Sequence, residues 1–417
     1  MSNSIKNEKN GRNSKKRKRK RKNRRMLFTP DLLLSSEFET GNGIDFTKYD
    51  EDIYGFTPIR DPGELYSGQA YYFKFSIKNR LRRAEDIKNV TVTAIADYDE
   101  IWKGWSSCLN IKLWKYSNNG QISHLDDRRV KATPKSIGIN LSLRPQEKVV
   151  ISNMLTFTYT ELESIINDIH FAYPSFTKVT KIGESAAGNG IYSVKIKPDE
   201  LHWASTEKEK ILVSGTPQSS EIGDFAAVTC LRRFLDAGPE YWDEFHKNYK
   251  LEFILFQNPD GIIEGRNMVN SEGENIFFSY KKGNKNTPKE NQIVWSYIEN
   301  DPPDLYLEYH SFFQDKKTIR PYIYPKALIK DAVKKKIFKK VTKKLISFCN
   351  GAKQKIKIDQ KWFKNTLAYR LQEDFETIAI QFKTHNGMEF DDIKDLVWEI
   401  FEKLVDSYSK YAKRYRK

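Results

Sequence analysis

Gln218 and Glu221 stand three residues apart in SGTPQSSEIG, a spacing that can aim two side chains at one point. Glu308 and His310 stand two apart in LYLEYHS, so on a strand they share a face. Carboxylates and imidazoles are the groups that move protons near neutral pH, so Glu308 is a candidate base; its blander role is to orient His310. His385 and Glu373 are further proton acceptors, His385 reading more simply as a surface loop residue. His124, His170, His202 and His246 have no partner at a useful spacing and read as structural.

The elements that position these residues follow from apolar spacing. Ile211–Val213 is a short apolar run that reads as a buried strand, and Gly215–Ser220 as a turn. From Glu221 the apolar residues Phe225, Val228, Leu231 and Leu235 fall at helical spacing. A loop between strand and helix lies at the carboxyl edge of a sheet, where open α/β folds build sites. Further strands are expected at Thr177–Ile182, Ile191–Ile196, Leu251–Phe256, Leu305–Tyr309 and Thr377–Phe382. Helices are expected at Tyr159–Ile169, capped by Thr158 or Thr160, and at Lys326–Phe348 and Trp398–Tyr411. Residues 151–417 therefore read as an α/β domain, a mixed, mostly parallel sheet covered by helices.

Ahead of it, Tyr71–Lys78, Val90–Ile95, Cys108–Tyr116 and Ile137–Leu143 read as strands of a β-sandwich module over residues 61–150. Trp102, Trp105 and Trp114 are its expected core. Residues 26–60 read as a linker. The net charge is +16, and residues 1–25 hold thirteen Lys and Arg against one Glu, so +12 belongs to that tail. With few apolar residues it reads as disordered, able to bind nucleic acid or another anionic surface. It has no interleaved aromatics for base stacking. No apolar run is long enough to span a membrane, and no apolar core follows the charged N-terminus as a secretory signal would require. Three scattered cysteines, Cys108, Cys230 and Cys349, argue against a disulfide framework and for a cytoplasmic, reducing setting.

The order of motifs in residues 155–405 resembles the zinc carboxypeptidase (metallocarboxypeptidase) family. Tyr159-Thr160-Glu161-Leu162 matches its Tyr-x-Glu-Leu helix, and IGESAAGNGIYSVKI (182–196) its Gly-x-Ser-x-x-Gly-x-x-Ile strand pair. ILVSGTPQSSEIG stands where the family has a strand and His-x-x-Glu. Asn258-Pro259-Asp260-Gly261 matches its Asn-Pro-Asp-Gly turn, and LYLEYHS and TIAIQF its last two site strands. The β-module is similar to that of the cytosolic branch. The resemblance implies zinc on three side chains, with water in a fourth position. It also implies a glutamate that takes the water's proton, arginines that hold the terminal carboxylate, and peptide or protein C-termini as substrates.

Carried over by position, the metal ligands are Gln218, Glu221 and His310, with Gln218 in place of the family's histidine. Gln381 falls at the general-base glutamate. Phe277-Phe278 falls at the Asn-Arg carboxylate clamp and Met268 at a second arginine, leaving Arg266 as the nearby replacement and Asn258 in the turn as a further substrate-side residue. A glutamine is a poor zinc donor beside imidazole, and an amide cannot accept a proton near neutral pH. The expectation is a carboxypeptidase-like pseudoenzyme that binds C-termini with weakened zinc affinity; the rival is a divergent hydrolase with a relocated base.

Overall fold

The structure, a computed structural model, describes residues 24–62, 71–95, 112–117, 120–133, 135–197, 199–281, 287–312, 320–351, 357–358 and 363–415. Trp102, Trp105, Cys108 and the basic stretch up to Asn23 lie outside them.

Strands β1 (Met26–Phe28), β2 (Leu32–Ser35), β3 (Ile44–Asp50) and β4 (Ile53–Thr57) come first. β5 (Lys74–Asn79), β6 (Lys88–Ile95), β7 (Trp114–Ser117), β8 (Ile122–His124) and β9 (Val130–Ala132) follow, and β10 (Ser136–Leu143) and β11 (Lys148–Ser152) close the module. They form two sheets, ordered β1-β2-β5-β11-β7-β8 and β3-β4-β6-β10-β9. Alternation fixes which side chains face inward: Val90, Val92 and Ala94 from β6 meet Ile137, Ile139, Leu141 and Leu143 from β10 in one core.

Residues 26–60, expected as a linker, are instead four strands that enter both sheets. Their pattern was hidden because Leu32–Leu34 is an unbroken leucine run and most of β3 is exposed and polar. Arg25, expected within the basic tail, lies in the module instead, its Nη2 donating to Ser36 O at 2.7 Å and Gly41 O at 2.6 Å.

The second domain opens with α1 (Tyr159–Ala172), whose start is set by a reciprocal cap. Thr158 Oγ1 accepts from Glu161 N at 3.0 Å, and Glu161 Oε2 accepts from Thr158 N at 2.7 Å. β12 (Thr177–Glu184), β13 (Gly190–Ile196), α2 (Glu200–Ala204), β14 (Glu209–Ser214) and α3 (Gly223–Asp236) come next. α4 (Pro239–His246), β15 (Tyr249–Ile254), α5 (Pro259–Glu264), α6 (Lys289–Glu299), β16 (Leu305–Phe312) and β17 (Arg320–Ile323) follow. α7 (Ala332–Gly351), β18 (Lys357–Ile358), α8 (Leu367–Phe375), β19 (Ile378–His385) and α9 (Phe390–Tyr415) complete the described elements. α7 begins later than the Lys326 expected from spacing. Asp331 sets its start, with Oδ1 accepting from Lys334 N at 2.6 Å.

The eight strands of this domain order as β12-β13-β15-β14-β16-β19-β17-β18, with β15, β14, β16 and β19 parallel at the centre. Helices cover both faces, so these strands are buried along almost their whole length. Ile211 and Val213 pack on the side of α3 and α9, and Leu212 on the opposite side with α6 and α8.

The module is docked by polar contacts. Asn42 Nδ2 donates to Gly265 O at 2.8 Å, and the buried Asp61 carboxylate accepts from Asn267 N at 2.9 Å and Met268 N at 2.7 Å. Trp114 belongs to the large domain's core and not to the sandwich interior, its Nε1 donating to Asn386 Oδ1 at 3.0 Å. No helix among the described residues is long and apolar enough to cross a membrane.

Candidate functional site

The loop after β14 is shaped by Thr216, whose Oγ1 accepts from Gln218 N at 3.0 Å, and by Glu221 N donating to Gln218 O at 2.9 Å. Gly223 lets the start of α3 lie against β16; a Cβ there would sit 2.1 Å from Tyr309 O. The loop therefore turns Gln218 and Glu221 toward the end of β16.

Strand register supplies the rest. β16 and β19 are parallel, with Glu308 opposite Gln381 and His310 opposite Lys383. Side chains two apart share a face, so these four form a block at the carboxyl edge of the sheet. His310 Nδ1 lies 3.0 Å from Gln218 Oε1, 3.0 Å from Glu221 Oε2 and 2.9 Å from Thr216 Oγ1. Its Nε2 lies 2.5 Å from Glu308 Oε1. The three positions expected as ligands thus converge. Lys383, which sequence reasoning missed, joins them: its Nζ donates to Glu221 Oε1 at 3.1 Å and to Gln218 Oε1 at 3.4 Å. The available signal was its place two residues after Gln381 on one strand.

Burial pushes the Glu221 carboxyl up. Lys383, His310 and the Ser311 N–H outweigh that and hold it below the usual carboxylate range. Glu308 is fully buried and accepts from Tyr306 OH at 2.5 Å and Gln381 Nε2 at 2.7 Å. Gln381 Oε1 in turn accepts from Tyr324 OH at 2.6 Å. Burial pushes both phenols well above the usual tyrosine value, so they stay donors.

Other expected site residues lie in structural contacts. Arg266 pairs with Glu264, Nη2 to Oε2 at 2.6 Å. Asn258 caps α5, its Oδ1 accepting from Gly261 N at 3.0 Å and its Nδ2 donating to Pro217 O at 3.1 Å. Met268 and Phe277 are buried, and the Phe277 ring packs edge-on to His310 at 5.1 Å between centroids. The side chains at the positions expected for the clamp, Met268 and Phe277, are thus apolar filling. Glu373 is paired with Arg370. His385, expected on a surface loop, is buried at the end of β19 and accepts from Gly387 N at 2.8 Å.

The fold is that of the zinc carboxypeptidases. The family model described as zinc carboxypeptidase matches residues 162–275. A metallo-carboxypeptidase from Burkholderia cenocepacia superposes with a TM-score of 0.74 at 12% identity, covering 91% of this chain and 100% of its own. A metallo-carboxypeptidase from Pseudomonas aeruginosa, in complex with (2-guanidinoethylmercapto)succinic acid, gives 0.70 at 12% identity, covering 90% and 99%. These coverages carry the likeness through the β-module. No curated protein sequence matches the chain.

The fold family implies zinc, and the residues present fit it poorly. A three-ligand site with an open fourth position takes imidazole, thiolate or carboxylate donors about 2.0–2.3 Å from the ion. Here one donor is a neutral amide, and an ammonium already bonds two of the three. Among the described residues, no group of three or more His, Cys, Asp or Glu is arranged to hold a metal ion.

Proposed function

We propose that this chain is a carboxypeptidase-fold protein that binds peptide or protein C-termini and does not hydrolyse them at an appreciable rate. The observation that carries the reading is Gln381. At the position expected for the general base stands an amide, fully buried, with its oxygen bonded to Tyr324 and its nitrogen to Glu308. It has no site for a proton taken from water, and loss of such a base costs about two to four decades of rate. Glu308 does not replace it, because its oxygens are committed to His310, Tyr306 and Gln381. The apolar filling at Met268 and Phe277 supports the same reading, since a carboxypeptidase needs a cationic clamp there.

The test is a panel of peptides with free C-termini incubated with protein purified without chelator, with and without added zinc. Binding without cleavage is expected. Cleavage that disappears in Glu221→Ala or His310→Ala would overturn the reading. The basic stretch up to Asn23 is proposed as a separate anion-binding arm, working by charge alone. Deleting it should abolish salt-sensitive binding to nucleic acid, and binding that persists refutes the arm.

A further inference from the structure

We infer that the Lys383 ammonium stands in for the metal cation: a covalently held counter-ion that closes the site and excludes zinc. The inference rests on the non-hydrolytic reading and says how the site is held together without a divalent ion.

Four observations carry it. Lys383 comes from the strand beside His310, in direct register with it, so its reach to the loop is fixed by the sheet. Its Nζ bonds Glu221 and Gln218, and His310 Nδ1 faces the same two side chains, so one ammonium serves the corner where a metal would be shared. No buried polar atom of Gln218, Glu221, His310, Glu308 or Gln381 lacks a hydrogen-bond partner. In this site the oxygens are taken up by hydrogen bonds: Glu221 accepts from Lys383 Nζ and Ser311 N, Gln218 Oε1 from Lys383 Nζ, and Glu308 from Gln381 Nε2 and Tyr306 OH. The lysine is largely buried, its side chain 12% exposed, and therefore poorly placed to swing away into water.

The chemistry that follows is electrostatic. A divalent cation entering this corner would lie within a few ångströms of an ammonium, and at low effective dielectric that repulsion outweighs what an amide oxygen adds. Restoring histidine at position 218 is therefore insufficient while Lys383 remains; removing the ammonium is the second requirement.

The experiment is zinc titration of the full chain against a competing chelator, in four forms: wild type, Lys383→Met, Gln218→His, and the double variant. The double variant is expected to take about one equivalent of zinc, at least roughly a hundred-fold tighter than Gln218→His alone. Its melting temperature should rise on adding zinc while that of the wild type does not. Equal affinity of Gln218→His with and without the lysine overturns the inference. Lys383→Ala in the same histidine background provides a smaller, water-tolerant replacement should the methionine form not fold, and its failure to gain affinity counts equally against the proposal. Peptide cleavage is scored separately. Wild-type protein that binds zinc stoichiometrically without cleaving overturns the lysine assignment and leaves the non-hydrolytic reading standing; cleavage overturns that reading.

Discussion

Gln381 and Glu308 touch through an amide N–H and a carboxylate oxygen at 2.7 Å, both fully buried. Gln381→Glu replaces that hydrogen bond with two facing carboxylates in a region whose nearest cations are already engaged. The expected result is a loss of about 3 kcal/mol in urea unfolding, and no gain of peptidase activity from the single change. An unaltered unfolding midpoint would show that Glu308 is not held as described. A pH effect belongs to a different pair. His202 and His246 are buried edge-to-face, 4.9 Å between ring centroids, and burial pushes each down to about 4. Their mutual repulsion and the neighbouring Lys197, Lys208 and Lys250 act on His202 in the same direction. Because the folded values lie below the usual histidine value of about 6.5, the folded state resists protonation. The stabilisation is complete above pH 6.5 and is lost as pH falls from there through about 4, on the order of a few kcal/mol. Unfolding of His202→Gln/His246→Gln should be flatter across that window than wild type.

At the scale of elements, the site depends on strand register more than on any helix. The parallel pairing of β14, β16 and β19 sets Ser214 beside Glu308, Glu308 beside Gln381 and His310 beside Lys383. A slip of one residue would turn every one of these side chains to the other face. The register is held because the two faces differ: Leu305, Leu307 and Tyr309 pack into the apolar core on one side, while Tyr306, Glu308 and His310 lie on the other, where Glu308 bonds both of its neighbours. α1, by contrast, is held at its start by the Thr158–Glu161 cap, which is solvent-exposed and separate from the site. Thr158→Ala is expected to cost about 1 kcal/mol in chemical denaturation and to leave ligand binding unchanged. A change in binding would tie α1 to the site in a way these contacts do not.

Across the whole molecule, the β-module and the large domain share one buried polar seam. Asn386 sits at its centre, accepting from Trp114 Nε1 and Leu155 N, each at 3.0 Å, and donating to Asn153 O at 2.7 Å. Asn386→Ala strands two buried donors and is expected to cost about 3 kcal/mol and to separate the melting of module and domain into two transitions. A single transition with the wild-type midpoint would show that the seam adds nothing to cohesion. Asp61 docks the same way, its carboxylate on the Asn267 and Met268 amides. The two free cysteines of the large domain, Cys230 and Cys349, are buried thiols that burial pushes up, the second to about 12, and they play no part in this seam.

The sequence by itself determined the strand–loop–helix at residues 211–235, the capped start of α1, the order of motifs that marks the fold, and the positions of Gln218, Glu221 and His310. Those features rest on local periods and short spacings, which sequence carries directly. Strand pairing is non-local, so the tertiary structure alone decided that residues 26–60 are four strands and that Trp114 joins the large domain's core. It alone brought Lys383 to Glu221. A lysine two residues past Gln381 shares its face of the strand, but the chain alone names no partner for it; beside His310 in the sheet it becomes the cation of the site.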